Sequence, residues 1–239
     1  MRNILIVTLF LATQATAAWS DYEEVRELSL GAGGIETLAV ENGAGSIEIK
    51  GAPGTDDISV TATILVPGKN AEKARRRIES SLVLTLEQVR ETAVLKAYFR
   101  NGGGLFNFSD SPSVRLEISM PDQLQLEIDD GSGSIDINGV HGSIVVDDGS
   151  GSLTMADVGG NVEIDDGSGS ISVEGVGGDI SINDGSGGIK VRNVTGSVII
   201  DDGSGSIDVS EVEKDLIIVD DGSGELDFSN ISGRVENKS

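Results

Sequence analysis

The 239-residue sequence predicts an all-β protein: a parallel β-solenoid with 18-residue coils, preceded by a small strand-and-helix N-terminal cap. Three observations carry this. The hexapeptide DDGSGS at 129–134 returns at 147–152, 165–170 and 201–206, with near copies NDGSGG at 183–188 and DDGSGE at 220–225, so the period is 18 with one step of 19. Each repeat divides into two halves of about nine residues, and each half ends in a short alternation such as Ile135-Asp136-Ile137 or Ile144-Val145-Val146. Alternation sends the outer two residues to one face and the middle one to the other. Aligning the repeats then gives five apolar columns, beginning at Ile135, Ile137, Val140, Ile144 and Val146. No single repeat could bury these columns, but a stack buries them as one core. Tandem hairpins would each need their own two-residue turn chemistry, whereas here the same turn residues recur in register at long period.

The elements follow in chain order. Residues 1–17 read as a secretory signal peptide: Arg2, the apolar run 4–12, then Ala15-Thr16-Ala17 as a small-residue cleavage site. That apolar run is too short to cross a membrane. No cysteine follows the site to carry a bacterial lipid anchor, and no other long apolar run occurs, so the mature chain is expected to be soluble. Residues 18–121 form the expected cap. Strands are predicted at 35–40 and 46–49, and 41–49 (ENGAGSIEI) is a degenerate copy of the repeat. A strand at 58–66 stops at Pro67-Gly68. Asn70 is a good N-cap for a helix to about residue 80, with Ala71, Ala74 and Ile78 on one face. Strands follow at 82–89, 93–99 and 114–120, the last ended by Pro121. Such a cap would shield the open first edge of the stack. Residues 122–239 are the solenoid, with one extra residue in 216–219 read as a bulge and Phe228 as a plug for the far end.

Composition narrows the function. Forty acids against 17 bases give a net charge of -23. Nucleic-acid phosphates need Lys and Arg, so nucleic acid is excluded as a partner, while cations and basic partners are permitted. The absence of cysteine leaves stability to packing or bound ions. No partnered histidine recurs beside the many serines, and G-x-S-x-G is absent. Gly-x-Gly within GSGS has no following helix or Lys, so it is turn chemistry rather than a phosphate loop. Coils of 18 residues without insertions leave no cleft, so no catalytic residue is assigned.

An export signal, a strand-and-helix front and a G-[SD]-[IVL]-x-[IV] repeat together resemble the bacterial "putative adhesin" family of unknown function. The resemblance runs from about Ile35 to Val235 and is carried by Gly133-Ser134-Ile135-Asp136-Ile137, Gly178-Asp179-Ile180-Ser181-Ile182 and their copies. The same style of repeat occurs in head domains of autotransporter-like adhesins. It implies a β-solenoid acting in the cell envelope or outside the cell on a protein or glycan partner, and it supplies no catalytic residue and no cofactor.

The acid pairs are the first candidate site. Stacked coils would place Asp129, Asp147, Asp165, Asp201 and Asp220 in one ladder, with Asn183 filling the sixth place. Asp130, Asp148, Asp166, Asp184, Asp202 and Asp221 would form a second. At ~4.8 Å between coils, neighbouring charges repel by about 1 kcal/mol in bulk water. Turn formation is one reason to keep them, because Asp accepts a hydrogen bond from the backbone N–H two residues on. Calcium is the other, since carboxylates and turn carbonyls could supply its six to eight oxygens. The nonapeptide calcium-roll motif is not matched: its Asp lies two places before the apolar residue, where this chain has Gly133, Gly151 and Gly169. Leu105, Phe106 and Phe108 in the glycine-rich stretch 102–108 are the candidate partner contact. Lys73, Arg75, Arg76 and Arg77 make a basic helix face, and His141 stands alone in a turn.

Overall fold

The computed structural model describes residues 21–68, 70–100 and 111–239. The predicted signal peptide and Leu105, Phe106 and Phe108 lie outside them. The chain forms β1 (Tyr22–Gly31), β2 (Thr37–Asn42), β3 (Ile47–Ala52), β4 (Asp57–Val66), α1 (Ala71–Ser81), β5 (Leu82–Val89), β6 (Thr92–Phe99) and β7 (Ser113–Pro121). The repeats supply β8 (Gln125–Asp130), β9 (Gly133–Asn138), β10 (Ile144–Asp148), β11 (Gly151–Val158), β12 (Val162–Asp166), β13 (Gly169–Val176) and β14 (Ile180–Asp184). They end with β15 (Gly187–Val194), β16 (Val198–Asp202), β17 (Gly205–Val212), β18 (Leu216–Asp220), β19 (Leu226–Ile231) and β20 (Val235–Asn237).

Two ten-stranded sheets result. The first runs β1-β4-β7-β3-β9-β11-β13-β15-β17-β19 and the second β5-β6-β2-β8-β10-β12-β14-β16-β18-β20. From β7 and β6 onward every pairing is parallel and steps by one coil, as in Ile144↔Val162 and Leu153↔Ile171. This is the predicted parallel solenoid. The columns are its core: from Ile135 to Ile218 each of their residues is 3% exposed or less. Each buried aliphatic side chain is worth about 1.5–3 kcal/mol, so five per coil hold the stack. The extra residue is Val219, because Ile200 pairs with Ile218 but Asp201 pairs with Asp220.

The front of the molecule is woven into the stack. β2 lies between β6 and β8, and β3 between β7 and β9. The coil formed first in the sequence is therefore flanked by two coils formed later. Beyond it the sheets turn antiparallel through β4, β1 and β5. β1 is a strand the sequence reading misses. Its half-buried face is Tyr22, Glu24, Arg26, Leu28 and Leu30, and a Glu24–Arg26 ion pair at 2.7 Å breaks the apolar alternation that would have marked it. α1 links β4 of the first sheet to β5 of the second. Asn70 caps it by accepting a hydrogen bond from the Lys73 backbone N–H at 3.0 Å, and Ala74 and Ile78 are buried. At the far end Phe228 keeps its column but remains 44% exposed, so it is an uncovered core position rather than a plug.

Two backbone requirements hold the corners. A Cβ on Gly151 would lie 1.5 Å from the Gly133 carbonyl oxygen, so the coils approach here only with glycine. The residue before each turn valine has positive φ: Gly139, Asp157, Gly175, Asn193 and Glu211 lie between 55° and 74°. Four of the five are the Gly, Asn and Asp that tolerate this region; Glu211 is the exception.

Candidate functional site: two aspartate rows on opposite sides of one sheet

The acid pairs end the strands of the second sheet, and strand alternation decides their fate. Ile164 points into the core, so Asp165 points out and Asp166 points in. The two expected ladders therefore form on opposite sides of one sheet. Asp129, Asp147, Asp165, Asn183 and Asp201 are exposed on the outer face, in register from strand to strand. Asp130, Asp148, Asp166, Asp184 and Asp202 are buried, none more than 2% exposed. In the last coil Asp220 is exposed and Asp221 half-buried.

The inner row does the turn chemistry expected of Asp-Gly-Ser. Asp148 Oδ1 accepts from the Ser150 backbone N–H at 3.1 Å, and Asp166, Asp184 and Asp202 accept from Ser168, Ser186 and Ser204 at 3.0 Å. Asp130 heads the row differently. Its Oδ1 accepts from Asn42 Nδ2 at 2.8 Å, and Asn42 occupies the equivalent position on β2. The second oxygens find no partner: Oδ2 of all five aspartates and Oδ1 of Asn42 are buried and make no hydrogen bond. The row is thus a column of acceptors short of donors. Burial is the main cause that raises these carboxyls, against the hydrogen bond each accepts, and nearby aspartates push the same way. Asp130 rises to about 7, Asp148 and Asp184 to about 6, and Asp166 and Asp202 also shift upward.

For a cation the arrangement divides the predicted ligands. The two aspartates of one repeat cannot reach one ion from opposite faces. No group of three or more His, Cys, Asp or Glu gathers around a point among the described residues. The other candidates have local roles. His141 Nδ1 lies 3.0 Å from Asp122 Oδ2 and 3.2 Å from the Gln123 amide. Arg75 donates to the Tyr22 hydroxyl at 3.1 Å and sits over its ring, tying α1 to β1, while Arg76 pairs with Glu72 at 2.8 Å.

Fold and site together define a β-solenoid with a side-chain-filled core, lined at one corner by buried carboxyls. A family model matches residues 35–234, and the chain belongs to the Toastrack DUF4097 family. A solved structure of a "putative adhesin" from Bacteroides fragilis is similar in fold: 10% identical, TM-score 0.50, covering 90% of this chain and 97% of its own. A "putative lipid binding protein" from Parabacteroides distasonis is 18% identical with TM-score 0.46, covering 91% and 94%. A "putative cell adhesion protein" from Clostridium sporogenes is 12% identical with TM-score 0.35, covering 91% and 98%. No curated protein matches the sequence. Among the described residues no helix is long and apolar enough to cross a membrane.

Proposed function

We propose that this is an exported, non-enzymatic interaction protein of the cell envelope, adhesin-like in role. The observation that carries the reading is the inward packing of the apolar columns: with the core filled, function falls to the long outer faces of the two sheets. The name of one fold neighbour, "putative adhesin", supports the same role. Export rests on the sequence of residues 1–17. Two measurements test the proposal. Terminal sequencing of the exported protein should find cleavage after Ala17 or Ala18. The purified protein should bind envelope fractions, whole cells or a glycan array saturably. A chain that keeps Met1 in the cytoplasm, or binds none of these, sinks it.

One observation favours a second reading, in which ion binding is coupled to folding: the buried oxygens of the inner row that lack partners. In that case the inner row would be the site and the outer row would not. The test is a thermal melt in chelator and over a calcium titration, with magnesium at matched ionic strength. A rise in Tm specific to calcium supports coupling; equal curves in both ions end it.

A further inference from the structure

The outer face of the second sheet carries a shallow groove of about 320 Å³ where β6, β2, β8 and β10 lie side by side. Register explains it. Ala39 lies opposite Val94 on one neighbouring strand and Glu127 on the other, and Glu127 lies opposite Val145. A methyl group set between longer side chains leaves a dip. Val94, Ala39 and Val145 form its apolar floor, and Val145 is 43% exposed. Two residues along each strand, the next outward row reads Lys96, Glu41, Asp129, Asp147. Lys96 is paired with Glu41, and none of the residues lining the groove is basic. From Asp147 the row runs on through Asp165, Asn183 and Asp201, so an acidic rail leaves the groove along the rod.

We propose that this groove docks a lysine- and arginine-rich segment of a protein partner. The aliphatic stems would lie on Val94, Ala39 and Val145, with the cationic heads on Glu127, Asp129 and Asp147. The inference rests on the interaction reading above and names the partner's chemistry. An apolar floor beside an acidic wall asks for a ligand that is both apolar and cationic, and long basic side chains are both. The net charge of -23 speeds encounter with such a segment and repels nucleic acid. A neutral sugar could hydrogen-bond to these carboxylates but would gain no charge attraction from the rail. A bare metal ion would gain nothing from the floor.

The test is fluorescence anisotropy of the full chain with a short labelled peptide of lysine, leucine and glycine, against the same peptide with glutamate for lysine. Only the lysine peptide should bind, and more weakly as salt rises. Glu127→Gln with Asp129→Asn should weaken it about tenfold or more. Ala39→Leu fills the dip without touching charge and should weaken it as well. Glu48→Gln with Asp136→Asn removes the same charge from paired positions on the other sheet and should change the Kd less than about twofold. Equal losses from the two charge pairs would show general attraction to an acidic rod and overturn the groove, as would full binding by Ala39→Leu. Envelope binding is measured on the same samples. Wild-type protein that binds envelope but not the lysine peptide refutes the groove and leaves the interaction reading standing; failure of both refutes both.

Discussion

Asp165 and Asp166 are neighbours with the same side chain, yet one stands in water and the other is shut inside a corner with an oxygen that bonds to nothing. The outer row spreads its charge into solvent, where screening makes a register of acids cheap. The inner row trades solvation for a turn: one oxygen ties down the serine N–H two residues on, and burial penalises the charge on the other. The contrast shows that a repeated acid pair is two devices that share one sequence motif. One shapes the surface field and the other closes the corner.

The largest effect that can break this contrast is in pH. The inner carboxyls hold protons more tightly folded than unfolded. The stability this gives is fully present below the unfolded value near 3.8 and is lost as pH rises through the folded values of about 6 to 7. Melting temperature should therefore fall between pH 4 and pH 8. Asp148→Asn with Asp184→Asn keeps the acceptors, removes the ionisation and should flatten the fall; a Tm that climbs with pH contradicts the account. The next effect separates the rows directly. Asp166→Ala strands the Ser168 N–H and should cost about 1–3 kcal/mol in denaturant unfolding at pH 5. Asp165→Ala should stay within about 0.5 kcal/mol, and equal costs would erase the distinction. A smaller effect provides a backbone yardstick. Glu211 holds φ at 61°, where its column mates are Gly, Asn or Asp, so Glu211→Gly should stabilise by about 0.5–1 kcal/mol. If it destabilises, the side chain of Glu211 contributes something the backbone argument omits. Smallest of all, added salt should raise Tm slightly by screening the outer row, and Asp147→Asn should reduce that gain.

The solenoid was legible because its core is periodic: a column of Ile and Val at fixed spacing can mean little else. The split of the aspartates was legible too, since counting by twos from Val162 and Ile164 puts Asp166 inside and Asp165 outside. Treating the rows together as one ion site overlooked that parity. β1 was hidden because Glu24 and Arg26 neutralise each other on its inner face and read as surface. The insertion of β2 and β3 between later coils had no signal in the chain, since a strand's sequence states which face is apolar but not which strand lies beside it. The dip at Ala39 depends on the same unreadable pairing.

That insertion bears on how the molecule assembles. The coils from β10 onward can zip one after another, each needing only its predecessor. The coil made of β2 and β3 cannot finish early, because one of its neighbours is β6 with β7 and the other is β8 with β9. Closing those contacts spans long stretches of chain, which slows nucleation. A chain delivered from its N-terminus can pair β2 with β6 early, but it cannot cover both sides of its first coil until more than half of the sequence has arrived.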